Sequence, residues 1–420
     1  MSPHPSGSRP GPQRVALRKN LARSVRAGHP WIFRDALRPA GSARDGDVVL
    51  VTAGDGRVLG RGFWTSSTPI AVRMLTTDPA AGDIGALVRA RLAAALQRRL
   101  AFLDRAQTNA FRWVHGEADL LPGLHLDVYD GAASVRFDGP GARAFYRDLA
   151  PAVAELGAAI GLRTLVERVP RRREAATPAP GPGGAAFEGG GAVLFGQLPS
   201  GEIEVRENGL AFGVDLRHGQ KGGLFLDQRD NRARVRGLAG GQSVLNLFGY
   251  TGGFSIYAAA GGARDTTTVD SSAGAIASAR ENFRRNQLPI HSNGDGAGLV
   301  VADVFAFLGD AIQKAARWDV VISDPPSFAP SRRAVFEALR AYRRLHRLCA
   351  QVVAPGGILC AASCSSHVDA HAFQATIDAG CADAGRRFQA RAHHGAGADH
   401  PVLPVFPEGR YLKFTEGTVD

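Results

Sequence analysis

The sequence predicts an α/β protein, a doubly wound parallel sheet in its C-terminal half, preceded by a small β-barrel and a small α+β region. Three observations predict it. From Ser243 to Cys364, short continuously apolar runs alternate with helical segments, the pattern of parallel strands buried under helices on both faces. Successive runs end on residues that can meet a ligand: the turn Gly249–Gly253, Asp270, Asp303, Asp324-Pro325-Pro326 and Cys364. Ligands of such sheets sit beyond the carboxyl ends of the strands. Near the N-terminus, the β-type runs RVALRK, DVVLVTA, RVLGRGFW and IAVRML are separated by turn signals at Asp45-Gly46-Asp47 and Asp55-Gly56.

In chain order, residues 1–13 are polar and Pro-rich and read as a disordered tail. Residues 14–80 hold the barrel. Between its first two runs lie Arg18, Lys19, Arg23 and Arg26, followed by HPWIF with Trp31 and Phe33. Cations beside aromatics suit RNA, whose phosphates need charge and whose unpaired bases need stacking surfaces; Trp31 and Phe33 also suit a core. Residues 81–202 form the middle α+β region. It opens on an amphipathic helix from Asp83 to Ala106 and continues through GEADLLPGLHLDVYDG, a turn leading into a strand and a hairpin. Residues 171–192 are rich in Pro, Gly and Ala without periodicity and read as a flexible insertion.

From Ile203 onward, residues 203–420 carry the doubly wound sheet. Two short strands and a helix near Asp227–Arg236 lead into SVLNLFGYTGGFSIYAAAGGARDTTTVD. Its order is strand, glycine turn, helix, strand, acid. Glycines let backbone amides approach an adenosine group, and an acid about 20 residues further on accepts from ribose hydroxyls. Asp270 holds that place, and Asp303, ending the next strand, suits the adenine amine. A helix capped near Ser271 or Ser272, a helix from Phe305, the strand WDVVIS, a long helix Ala334–Val353 and a strand from Gly357 complete the series. Two prolines after Asp324 fix the backbone and aim the carboxylate at a planar substrate.

The chain has 420 residues, with 50 Lys and Arg against 39 acids and a net charge of +11. A basic balance of this size fits nucleic acid as a partner, or an Arg-rich solvated surface. Four cysteines, Cys349, Cys360, Cys364 and Cys381, lack paired C-x-x-C spacing, so reduced thiols in the cytoplasm are expected rather than a disulfide framework or zinc. His367 and His371 are read as surface groups, and His393, His394 and His400 as loop residues, with no metal expected. No apolar run approaches the ~18 residues of a membrane span. A second copy of the chain remains a candidate partner.

NLFGYTGGF, VD, AD, DPPSFAPSR and SCSS resemble the motifs of class I S-adenosylmethionine (SAM)-dependent methyltransferases. With HGQKGGLFLDQR, they resemble the bacterial 23S rRNA cytosine-C5 methyltransferases most specifically. RKNLARSVRAGHPWIF resembles the start of that family's N-terminal PUA domain, an RNA-binding barrel, and GEADLLPGLHLDVYDG resembles its middle domain. The resemblance implies a Rossmann-like methyltransferase domain that takes SAM, acting on large-subunit rRNA. It assigns Phe248, Gly249, Tyr250, Thr251, Gly252, Asp270, Ser271, Asp303 and Asp324 to the cofactor. Asp324 also falls to the target base and Cys364 to nucleophilic attack. Arg18, Lys19, Arg23 and Trp31 fall to RNA, as do Pro325, Pro326 and Ser327. Many related enzymes carry a second cysteine where this chain has Ser327, which matches the single-cysteine branch. Two other readings stand beside this one: an rRNA guanine N-methyltransferase, which needs no nucleophilic cysteine, and a non-catalytic RNA-binding assembly factor.

Overall fold

A computed structural model describes residues 13–39, 41–168, 185–187, 191–217, 223–290 and 298–420. The expected tail at 1–13 lies almost wholly outside them, as does the HGQKG portion of the longest family string. The chain divides into two compact units. One comprises Met1–Phe102, Arg112–Leu198 and Val402–Pro407; the other comprises Leu103–Phe111, Pro199–Pro401 and Glu408–Asp420.

The first unit opens with β1 (Gln13–Ala16), α1 (Ala22–Arg26), β2 (Trp31–Phe33), β3 (Val48–Thr52), β4 (Val58–Trp64) and β5 (Ile70–Thr76). These strands form one sheet in the order β1-β3-β4-β5-β2, with β1 parallel to β3. Alternation places Val49 and Val51 fully inside with Val15, Ile32 and Val72, while Leu50 between them is only half-buried. Next come α2 (Ile84–Leu100), β6 (Ala110–His115), β7 (Leu124–Tyr129), β8 (Ala132–Phe137), α3 (Pro140–Phe145), α4 (Ala150–Ala158) and β9 (Thr164–Arg168). Asp83 caps α2 by accepting the Gly85 amide.

One expectation needs correcting here. The stretch 171–192 is not loop throughout: β10 (Ala185–Phe187) and β11 (Gly191–Phe195) pair with each other, and β11 pairs antiparallel with β9. They extend the second sheet to the order β10-β11-β9-β8-β7-β6. Both strands are short and held by backbone pairing, so Ala- and Gly-rich composition hid them.

The second unit begins with the hairpin β12 (Ile203–Glu207) and β13 (Leu210–Val214). It continues through α5 (Arg229–Leu238), β14 (Ser243–Leu247), α6 (Gly253–Ala260), β15 (Asp265–Asp270), α7 (Ala273–Arg285), β16 (Leu299–Val301), α8 (Val304–Gln313) and β17 (Trp318–Ser323). The last elements are α9 (Val335–Val352), β18 (Val353–Ser363), α10 (Ala370–Asp383), β19 (Phe388–His394) and β20 (Lys413–Val419). Seven strands lie in the order β16-β15-β14-β17-β18-β20-β19. The first five run parallel, as expected; β20 is antiparallel to both its neighbours.

The pleat sorts the apolar residues between two layers. Leu245, Leu247, Val321 and Leu359 pack under α8, α9 and α10, whereas Val244, Val320, Ile322 and Cys360 pack under α5 and α6. Helix α5 is anchored by charge as well. Arg232 grips Glu207 through two bonds of 2.8 Å, and Arg229 grips Asp399 at 2.9 and 3.0 Å, all four side chains buried. Among the described residues, no helix is long and apolar enough to cross a membrane.

Candidate active site

The turn after β14 is shaped by close packing. Phe248, Tyr250 and Gly252 all have positive φ, at 57°, 48° and 81°. A Cβ on Gly249 would stand 2.4 Å from the Thr268 methyl, and one on Gly252 would stand 3.0 Å from that of Ala279. Both glycines are therefore demanded by the sheet and by α7, apart from any ligand. Asp270, half-buried at the end of β15, accepts the Tyr250 amide on one carboxylate oxygen and the Ser272 amide on the other, each at 2.9 Å. The acid thus fixes the turn and its own orientation, and keeps lone pairs for further donors. Thr251 is buried, its hydroxyl donating to the Gly223 carbonyl and its own carbonyl accepting from Asn282. Asp303, exposed beyond β16, caps α8 through one oxygen by accepting the Ala306 amide at 3.0 Å. Ser271 is exposed beside Asp270.

The next strands carry the second half of the site. Asp324 follows β17 directly, and its carboxylate accepts from Gln228 Nε2 at 2.9 Å. Asn231 in turn donates to the Gln228 carbonyl oxygen at 2.7 Å, so a buried amide pair sets the direction of Asp324. Pro325 is buried, which gives it the task of fixing the loop and corrects its expected contact with substrate; Pro326 and Ser327 are exposed. The Ser327 hydroxyl meets that of Ser365 at 3.0 Å, and the Tyr342 hydroxyl bridges Ser363 and Ser365 at 2.9 Å each. This hydroxyl chain ties the loop after Asp324 to the residues on either side of Cys364.

Of the four cysteines, Cys364 alone is not fully buried. Burial pushes the thiols of Cys349, Cys360 and Cys381 up, those of Cys349 and Cys381 to about 12, which leaves them inert. Lys413, missed by the sequence reading, sits opposite Ser363 in the β18–β20 ladder. Its ammonium donates to the carbonyls of Ser365, Val368 and Tyr411 at 2.6, 2.8 and 2.8 Å. Burial lowers its pKa to about 8, against the opposing pull of Cys364 and Asp369. Gln228, Tyr342 and Lys413 left no sequence signal, because each acts through a contact made only in three dimensions.

In the first unit Arg18, Lys19 and Arg23 are exposed on and before α1. Lys19 is ion-paired with Asp35, and Arg18 donates to the Asp35 carbonyl. Trp31, expected as a stacking surface for RNA, is already engaged: its Nε1 donates to Glu117 at 2.7 Å. Arg73 lies over its ring and Phe406 packs edge-on at 4.5 Å. An indole with a buried acid to satisfy serves the fold first. His400 is buried against Asp399, and His393 meets the Thr415 hydroxyl.

A glycine turn, three acid-ended strands and a thiol-bearing strand along one edge of a 3-2-1-4-5-7-6 type sheet define a SAM-dependent methyltransferase. Residues 193–377 match the S-adenosylmethionine-dependent methyltransferase family and residues 15–77 the PUA-like domain. Over 402 residues the chain is 35% identical to ribosomal RNA large subunit methyltransferase I of Aeromonas salmonicida, covering 95% of this chain and 97% of that one. The same enzyme of Alteromonas mediterranea is also 35% identical, over 401 residues with the same coverage. The chain belongs to the ribosomal RNA large subunit methyltransferase I family. In fold it is similar to a protein of Streptococcus mutans described as a SAM-dependent methyltransferase, with a TM-score of 0.79 and 21% identity over 97% of this chain and all (100%) of that one. It is likewise similar to a methyltransferase complexed with SAH, with a TM-score of 0.77 and 22% identity over 96% of this chain and 99% of that one.

The residues present fit SAM. Asp270 offers its remaining lone pairs at the strand end, oriented by two amides, and Asp303 presents a carboxylate beyond the adjacent strand. Acceptors so placed suit ribose hydroxyls and an exocyclic amine.

Proposed function

We propose that the protein forms 5-methylcytidine in large-subunit (23S) rRNA through a covalent adduct of Cys364. The observation that supports this reading is the placing of the one partly exposed thiol at the end of β18, next to β17, where Asp324 follows. C5 of cytosine is a poor nucleophile. In this reading the Cys364 thiolate adds to C6, the C5–C6 π electrons become available at C5, and C5 takes the methyl group. When bound, SAM supplies that methyl as an electrophile. Asp324, held by Gln228, meets the N3 and N4 edge of the base: one oxygen accepts from the N4 amine, and the other, as a protonated carboxyl, donates to N3 where negative charge develops when the thiolate adds. A base then takes the C5 proton, the C5–C6 double bond re-forms and the Cys364 sulfur leaves. Asp270, Asp303 and the turn Phe248–Gly252 hold the cofactor, with Ser271 at its margin. Arg18 and Arg23 in the PUA-like domain, with Pro326 and Ser327 at the site, serve the RNA. Free thiols fit work in the cytoplasm. The domain boundaries that go with this reading are 14–80, 81–202 and 203–420.

The test is mechanism-based trapping. RNA containing 5-fluorocytidine at the target should leave wild-type protein covalently bound in the presence of SAM, since fluorine at C5 cannot depart as a proton. Methyl transfer to guanine with no trapped adduct would favour the guanine N-methyltransferase reading, and SAM binding without any transfer would favour an assembly factor.

A further inference from the structure

Two features of the second unit are left unused by this scheme. The first is a surface. Phe336, in the first turn of α9, is the most exposed of the large apolar side chains among the described residues, at 70%. Arg340, one turn on, lies over its ring at 5.9 Å. Arg332 and Arg333, just before the helix, are exposed, and Arg344 continues the same face over Phe305 at 5.0 Å. This face begins just after the loop 324–331 that leaves the site, and the buried side of the same helix reaches the site. Tyr342, six residues after Phe336 and so roughly 9 Å along the axis, bonds the serines on both sides of Cys364. An aromatic left in water among arginines matches unpaired nucleotides, which present a π-face and a phosphate at each step. We infer that Phe336 stacks an unpaired base of the bound rRNA, with Arg332 and Arg333 on the phosphates beside it.

This inference rests on the rRNA reading and deepens it. Binding of an unmodified 23S rRNA transcript to the full chain, measured over a salt series, separates the two contributions. Phe336→Ala should weaken binding about tenfold with an unchanged salt slope, because stacking releases no counterions; Phe336→Trp should restore it. Arg332→Gln with Arg333→Gln should instead flatten the slope by about 1.4, two single-strand phosphates' worth. Unchanged affinity in Phe336→Ala, in an enzyme whose wild type methylates the transcript, overturns this inference alone. A wild type that neither binds nor methylates it overturns the rRNA reading.

The second feature is Lys413. A buried ammonium is normally offset by a carboxylate. The three acceptors of Lys413 are all neutral carbonyls, two of them in the short loop that follows Cys364. The titratable groups around it are Cys364 and Asp369 on that loop, Tyr411 before β20 and, through Ser365, Tyr342 on α9. The geometry points to Lys413 as a positioning residue whose ammonium, charged at neutral pH, favours the Cys364 thiolate and holds the loop that carries it.

This rests on Cys364 as nucleophile, but its test reads the thiol directly. Alkylation of Cys364 by iodoacetamide, followed by mass spectrometry against pH, should show wild type with a midpoint below the ~8.5 of an ordinary cysteine. Lys413→Met and Lys413→Gln should each move that midpoint up, and Lys413→Arg should largely keep it. Methyl transfer near neutral pH should fall roughly tenfold in the two uncharged variants and recover as pH rises, a tenfold change per pH unit of thiolate deficit. A uniform loss of rate with an unmoved alkylation midpoint would reduce Lys413 to a loop support. A wild-type midpoint at or above that of a free cysteine overturns the proposal without any variant.

Discussion

Asp270 offers the most direct test of the cofactor site. Its two oxygens each accept one backbone amide, from Tyr250 and Ser272, so substitution acts on the ligand and on the turn together. On the proposed reading Asp270→Ala removes the acceptors for two ribose hydroxyls, and a hydrogen bond to a charged group is worth about 1.5–3 kcal/mol. Loss of one such bond corresponds to roughly a tenfold to hundredfold weaker affinity for SAM. Asp270→Asn is no gentler, because one carboxylate oxygen becomes an NH2 facing a backbone N–H. Ser271→Ala, at an exposed neighbour, should change affinity little. Titration calorimetry with SAM on the folded variants reads this directly. An Asp270→Ala protein that bound SAM as wild type does would refute the assignment of this strand end to the cofactor.

Cys364→Ala should fold and bind SAM, yet lose methyl transfer by several orders of magnitude, while Cys360→Ala, between sheet and helices, should cost only packing; single-turnover assays beside thermal melts distinguish them. Arg18→Gln with Arg23→Gln should weaken rRNA binding and lower its salt slope by about 1.4–1.8, read from binding at several salt concentrations. Asp399→Asn leaves the buried Arg229 with only the partly exposed Asp230 as a direct counter-charge and should cost about 3 kcal/mol in urea unfolding at neutral pH. Burial alone would raise the Asp399 pKa, but His400 and Arg229 outweigh it and hold the carboxyl well below the usual range. A depressed folded-state pKa gives stability that is present above the unfolded value of ~3.9 and is lost as pH falls. The gap between wild type and Asp399→Asn should therefore narrow below about pH 4.

The legible part of the fold was the part built on periodicity and strand ends. Apolar runs such as WDVVIS gave the parallel strands, and the acids that close them gave Asp270, Asp303 and Asp324. Strands β19 and β20 went unread because they alternate polar and apolar residues with no helix between them, and the pairing of Lys413 with Ser363 spans distant chain. Strands β10 and β11 were hidden by Ala and Gly. Gln228 stood within a quoted family string, but nothing in a string shows an amide donating to a carboxylate 96 residues away. Trp31 was left between two readings for a related reason: an indole in a basic stretch looks the same whether its ring is open to RNA or packed with Arg73 and Phe406.

Helix α5 carries a consequence for how this sequence can diverge. Arg229 and Asp399 lie 170 residues apart, and Arg232 and Glu207 lie 25 apart, yet each pair shares one buried charge balance. A substitution at either member alone removes the main counter-charge of a buried group, only partly offset by Asp230 and His400 in the first pair, whereas joint replacement by apolar residues of similar volume is close to neutral. Lineages that depart from these arginines must therefore pass through a destabilised ancestor or change both codons nearly together. The two positions of each pair should be inherited as a unit, even while the surface between them drifts.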